Sequence, residues 1–154
     1  MTAADPSEAI SGQVSLCPWL ICDDQNRFVD VAFRFAPAMT PAGSVPSIRS
    51  ISLLQGRESV ASLVRSGNPS VLLWHFQHED VLTVLDQVIL LANHSNLTLG
   101  SGVLPIVACD RLSRAGELAL AEIGVSVFLR HPEDLPKFGP LIQAHFASFD
   151  GGLK

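Results

Sequence analysis

Five ionisable side chains stand at the ends of apolar runs: the pair Asp23 and Asp24, then His75, Asp110 and His131. Mixed imidazole and carboxylate sets bind divalent metals, and the histidines could instead neutralise the acids as imidazolium. An acid pair also suits a bare strand end, where Asp favours turn formation. The chemistry therefore depends on whether the fold gathers these residues. Other candidates carry less. Ser101 lies between Gly100 and Gly102, but no strand-turn-helix elbow surrounds it, and these glycines form no phosphate-cradling loop. His78 and His94 read as surface residues. Cys17, Cys22 and Cys109 have no metal-ligand spacing, and an odd number does not suit a disulfide framework. Cys22 and Cys109 sit in apolar runs, as small buried thiols do.

The elements that must position these residues alternate from Ser47 onward. IRSISLL (48–54), SVLLWHF (70–76), VLPIVACD (103–110) and VSVFLR (125–130) have the length and composition of strands. Between and after them, RESVASLVRSG (57–67), EDVLTVLDQVILLAN (79–93), LSRAGELALAEIG (112–124) and EDLPKFGPLIQAHFASF (133–149) have helical spacing. Pro140 predicts a kink or break near Gly139. WLICDD (19–24) is a further buried strand. NRFVDVAFRFA (26–36) fits either a helix, with Phe28, Val31, Ala32 and Phe35 on one face, or a strand. The helix reading restores a five-fold β/α repeat. Pro37, Pro41, Gly43 and Pro46 predict a loop over 37–46. Continuous apolar strands separated by helices mean a parallel sheet covered on both faces, doubly wound by right-handed crossovers.

Composition narrows the function. The chain has 154 residues, 47% of them hydrophobic and 16% charged, which excludes a disordered chain. Its mean hydropathy of +0.33 calls for a sheet covered on both faces or for apolar surface kept for a partner. A formal charge of −5 with no Lys/Arg cluster argues against nucleic acid. No stretch reaches transmembrane length, and the polar start is unlike a signal peptide, so a cytoplasmic location is expected. One domain over 16–150 is expected, with an extension at 1–15 and a tail at 151–154.

The order of elements and the residues at the strand ends resemble the receiver domain of bacterial response regulators. The resemblance spans roughly residues 18–148 and rests on LICDD (20–24), NPSVLLWHF (68–76), LPIVACD (104–110) and EIGVSVFLRHPEDL (122–135). It implies a flavodoxin-like, three-layer α/β fold with a five-stranded parallel sheet in the order 2-1-3-4-5. It also implies that Asp23 and Asp24 match the acid pair that holds Mg²⁺, that Phe128 stands at the switch-aromatic position, and that Pro132 matches the cis-proline.

The departures from that pattern bear on function. The phospho-acceptor position holds His75 (or Trp74, if the register slips by one), the Ser/Thr position holds Asp110, and the Lys position holds His131. Phosphoryl transfer needs a carboxylate nucleophile, a bridging Mg²⁺ and fixed positive charge on the phosphoryl oxygens. Here the nucleophile is missing and an extra carboxylate is present. Two carboxylates about 4 Å apart repel by about 1 to 4 kcal/mol, depending on the effective dielectric. The expectation is a pseudo-receiver: not an enzyme, without a required cofactor, binding Mg²⁺ weakly or not at all, and acting in signal transduction by binding a protein partner or itself. The alternative is a small-molecule or metal sensor using Asp23, Asp24, His75, Asp110 and His131. On the helix over 79–93 the apolar arc is wide. Val81, Val84, Leu85, Val88, Leu91 and Ala92 form its core stripe, Leu82 and Ile89 broaden it, and Leu90 falls on the polar side. Leu82, Ile89 and above all Leu90 are the expected interface.

Overall fold

The computed structural model describes residues 15–66, 68–77, 80–94 and 102–152. Most of the expected N-terminal extension, His78 and Ser101 lie outside the described residues. The strands are β1 (Ser15–Asp23), β2 (Ser44–Ile51), β3 (Ser70–His75), β4 (Val103–Ala108) and β5 (Val127–Leu129). The helices are α1 (Arg27–Phe35), α2 (Gly56–Ser66), α3 (Val81–His94), α4 (Arg114–Ile123) and α5 (Gly139–Gly152). All strand pairs are parallel and the sheet order is β2-β1-β3-β4-β5, the flavodoxin-like arrangement. No helix among the described residues is long and apolar enough to cross a membrane.

Side chains alternate across each strand and so build two cores. Trp19 and Ile21 of β1, Leu73 of β3 and Ile106 of β4 pack with Phe28 and Ala32 of α1 and with Ile142 and Phe146 of α5. On the opposite face Leu20, Leu72, Trp74 and Val107 pack with Val60 of α2, Val84, Val88 and Leu91 of α3, and Leu120 of α4. All six residues of β3 are buried, which fits the central strand of a sheet covered on both sides.

Residues 27–35 are helical, and the strand alternative for this segment is excluded. Their pattern is strongly one-sided, with Phe28 and Ala32 buried and Phe33 exposed. The predicted loop over 37–46 is shorter than expected. A 3₁₀ turn occupies Ala36–Met39, and β2 already begins at Ser44 with Pro46 inside it. Proline is tolerated there because β2 is an edge strand. The strand stops at Ile51 rather than at 54, because a turn follows through Gln55.

The C-terminal helix is divided as expected. A 3₁₀ segment, Pro132–Phe138, passes into α5 at Gly139. Pro140 is the second residue of α5, where a missing N–H costs no helical hydrogen bond. The cis-proline expectation is corrected: the peptide bond before Pro132 is trans. Pro132 instead opens the 3₁₀ segment, a first-turn position that suits its fixed φ.

Candidate functional site at the carboxyl ends of the strands

β1 and β3 run in parallel register, so their last residues, Asp23 and His75, are direct neighbours. His75 Nδ1 lies 2.8 Å from Asp23 Oδ1, and both side chains are buried. The Phe28 ring covers the imidazole, its centroid 4.9 Å away. Asp23 has two further partners. Its Oδ1 accepts the Gln25 N–H and its Oδ2 accepts the Phe28 N–H, each at 2.9 Å. The second bond caps the start of α1, a task that Asn26, held at φ 59°, leaves undone.

Burial pushes the Asp23 carboxyl upward, but the His75 hydrogen bond and the Phe28 and Gln25 N–H groups outweigh it. The carboxyl is held below its ordinary value. An ionised carboxylate only accepts hydrogen bonds, so Nδ1 carries the proton shared with it.

The remaining strand-end residues are drawn elsewhere. Asp24 is exposed, and its Oδ1 accepts the Leu53 N–H at 2.9 Å from the turn after β2. Asp110 is exposed and lies 3.9 Å from Arg27 of α1. Its backbone carbonyl faces Arg130 Nη1 at 3.4 Å. His131 is exposed, and its backbone N–H donates to Asp134 Oδ2 at 3.1 Å. Asp134 is held below the ordinary carboxylate value by Lys137 and by the His131 and Arg130 N–H groups, against a small opposing effect of burial. The structure therefore joins Asp23 to His75 and gives Asp24, Asp110 and His131 other partners. Among the described residues no group of three or more His, Cys, Asp or Glu side chains is placed to hold a metal ion.

Trp74 is not the strand-end residue. It points to the opposite face from His75, and its indole Nε1–H donates to Gln87 Oε1 at 2.8 Å. Gln87 Nε2 in turn donates to the Leu53 carbonyl at 2.6 Å. Leu53 is thus held through its N–H by Asp24 and through its C=O by Gln87, which fixes the β2–α2 turn to both β1 and α3. Gly56 permits this approach, since a methyl group there would overlap the Gln87 carboxamide. Sequence reasoning missed Gln87, although a lone amide inside the apolar stripe of α3 was the available signal. It also missed Arg27 and Arg130, whose spacing from Asp110 carries no signal.

Phe128 is half-buried against the core on the α3 and α4 side. On α3, Leu82 is 74% and Ile89 43% exposed, whereas Leu90 is half-buried. The expected order within this surface is therefore corrected. Leu82 and Ile89, seven residues apart with Asp86 between them, form the outward ridge. Leu90 lies one helical step away, on the flank that carries Gln87.

No family model matches the chain, and no curated protein or solved structure matches it.

Proposed function

We propose that this protein is a pseudo-receiver, a signalling module that binds a protein partner or a second copy of itself without being phosphorylated. One observation supports the reading above the rest: the residue at the acceptor position is His75, buried and hydrogen-bonded at 2.8 Å to Asp23, the first of the acid pair. In that arrangement both Asp23 oxygens are occupied by His75, Gln25 and Phe28. Three of the buried carboxylate's roughly four acceptor sites are thereby taken, which leaves little of it for Mg²⁺. No second strand-end carboxylate is placed to act as nucleophile beside it, because Asp24 and Asp110 turn to Leu53 and Arg27.

Incubation with acetyl phosphate and Mg²⁺, followed by intact-mass measurement, tests the central claim. The mass is expected to stay unchanged. A hydroxylamine-labile phosphoryl adduct would overturn the reading, and so would an acid-labile adduct on His75.

A further inference from the structure

A recess opens on the α2 side of the sheet, away from the strand ends. In β2 the residues on the α2 face are Val45, Ser47, Arg49 and Ile51; Ile51 packs against the core, and the other three are exposed. A covered strand would carry apolar side chains at 47 and 49, so Ser47 and Arg49 leave this part of the strip open. The result is a cavity of about 250 Å³ between β1, β2 and α2, with Pro18, Leu20 and Leu63 as its apolar wall. A shallower hollow of about 480 Å³ adjoins it, sharing Arg49, Ser59 and Ser62 and adding Arg65.

The chemistry of this recess differs from that of the chain as a whole. The protein is acidic, with a formal charge of −5, yet Arg49 and Arg65 both line the recess and neither has a carboxylate within ion-pair distance among the described residues. Arg49 Nη2 donates to Ser59 Oγ at 2.9 Å, which leaves most of its five N–H donors open. Ser66 Oγ is committed to the Leu63 carbonyl and the Asn68 N–H. The Ser47 and Ser62 hydroxyls have no hydrogen-bond partner among the described residues and remain available at the wall. Glu58 is the opposing charge on the rim. It lies about 10 Å along the α2 axis from Arg65 but only one turn from Ser62, so it opposes an anion there, and its neutralisation should help binding.

We propose that this recess binds a small organic phosphate monoester, with its dianion between Arg49 and Arg65 and its carbon skeleton against Pro18, Leu20 and Leu63. Two guanidinium groups match the charge of a phosphate monoester dianion, and with the serine hydroxyls they exceed what a carboxylate's two oxygens can accept. The site is separate from the Asp23–His75 pair. Leu20 precedes Asp23 by three residues, about 10 Å along β1. It goes beyond the pseudo-receiver reading, and either can fail without the other.

Titration calorimetry with phenyl phosphate, benzoate and inorganic phosphate, run on the full chain, tests it. Phenyl phosphate is expected to bind saturably and at one site, more tightly than the other two. Arg49→Ala and Arg65→Ala should each weaken it roughly tenfold or more, and Glu58→Gln should tighten it. Both arginines are exposed, so their variants should fold like the parent. Amide shifts at Ser59 and Ser62 should accompany binding, and affinity should fall below about pH 6, where the monoester loses its second charge. Absence of saturable phenyl phosphate binding would overturn the proposal. So would binding that survives both arginine substitutions, or benzoate binding as tightly as phenyl phosphate.

Discussion

His75 stands opposite Asp23 in the parallel register of β1 and β3, with its Nδ1 2.8 Å from the carboxylate. The pair is shut off from solvent, so each side chain depends on the other. His75→Ala would leave an ionised, buried Asp23 with only its two backbone donors. Unfolding free energy in urea should fall by about 2 kcal/mol, the scale for a hydrogen bond to a charged group. A loss below about 0.5 kcal/mol, the level of an ordinary surface change, would show that the pair does not hold β1 to β3.

The same carboxylate sets part of the acid limb of stability. Asp23 is depressed in the fold below its unfolded value of about 3.9. Its contribution is therefore present above the unfolded pKa and is lost as pH falls through the folded pKa, because the unfolded chain binds the proton first. Asp23→Asn should be less stable than the parent at neutral pH, and the difference should shrink below about pH 4. Urea melts from pH 7 to pH 2 give the comparison, and a gap that does not narrow would assign the acid limb to other groups.

His145 bears on stability at milder acidity. Burial lowers its pKa below the ordinary value, against the opposing pull of the Ser70 and Gly102 carbonyls. Its Nε2–H donates to the Ser70 carbonyl at 3.0 Å, tying α5 to the start of β3. A depressed folded pKa means that the fold prefers the neutral ring. Stability from this group is present above about pH 6.5 and declines as pH falls through the folded value. An NMR titration should find the His145 ring protonating at lower pH than a model histidine; a higher midpoint would contradict the packing of α5.

The cysteines should be silent in the native state. Cys17, Cys22 and Cys109 are all buried. Burial, reinforced by the nearby Asp24 and Asp23 carboxylates and opposed by Arg49, pushes the Cys22 thiol up to about 12. A thiol that ionises so reluctantly is a poor nucleophile at neutral pH. Ellman's reagent should label none of the three quickly in buffer and all three in denaturant. Fast labelling of Cys22 in buffer would mean that the β1 end opens.

Gln87 should matter as much as any strand-end residue. Gln87→Leu leaves the Trp74 Nε1–H without a partner inside the core, which should cost about 1–3 kcal/mol, and takes from the Leu53 carbonyl one of its two donors, the Gly56 N–H remaining. Gly56→Ala should destabilise through the same contact, because its methyl group needs the space of the Gln87 carboxamide. Near-ultraviolet circular dichroism and urea melts report both. A neutral Gly56→Ala would mean that the amide has an alternative rotamer that keeps its bonds.

The exposed ridge of α3 gives the interaction claim its test. Replacing Leu82 and Ile89 together with Glu should abolish self-association in light scattering, or capture by a partner, while leaving the melting temperature nearly unchanged. Both side chains are exposed, so little core packing is lost. A marked drop in melting temperature would place the ridge in the core instead. Unchanged association would move the interface elsewhere.

The layout of the sheet was legible because β1, β3 and β4 are unbroken apolar runs, and only a doubly covered parallel sheet accounts for such runs separated by helices. The start of β2 was hidden because Ser44, Val45 and Pro46 look like loop, and Pro46 fits a strand only once that strand is known to lie at an edge. The five strand-end residues were found, but their partners were not. Asp24 is taken by a backbone N–H 29 residues away, and Asp110 meets an arginine of α1, near the other end of the chain. Such pairings arise from tertiary approach and leave no spacing to read. The surplus apolar surface on α3 was visible, but the wheel assigned it to Leu90 because it could not show that α3 turns that flank toward the Gln87 side.

The two borders of the sheet are unequal and both resist extension. β5 has three residues, too few for a foreign strand to pair along. β2 has eight, but Pro46, its third residue, has no N–H to offer. A second chain arriving edge-on would meet a stub on one side and a gap on the other, so strand addition is disfavoured at both borders. This chain can therefore keep an apolar helix ridge on its surface without that surface seeding polymerisation through the strands.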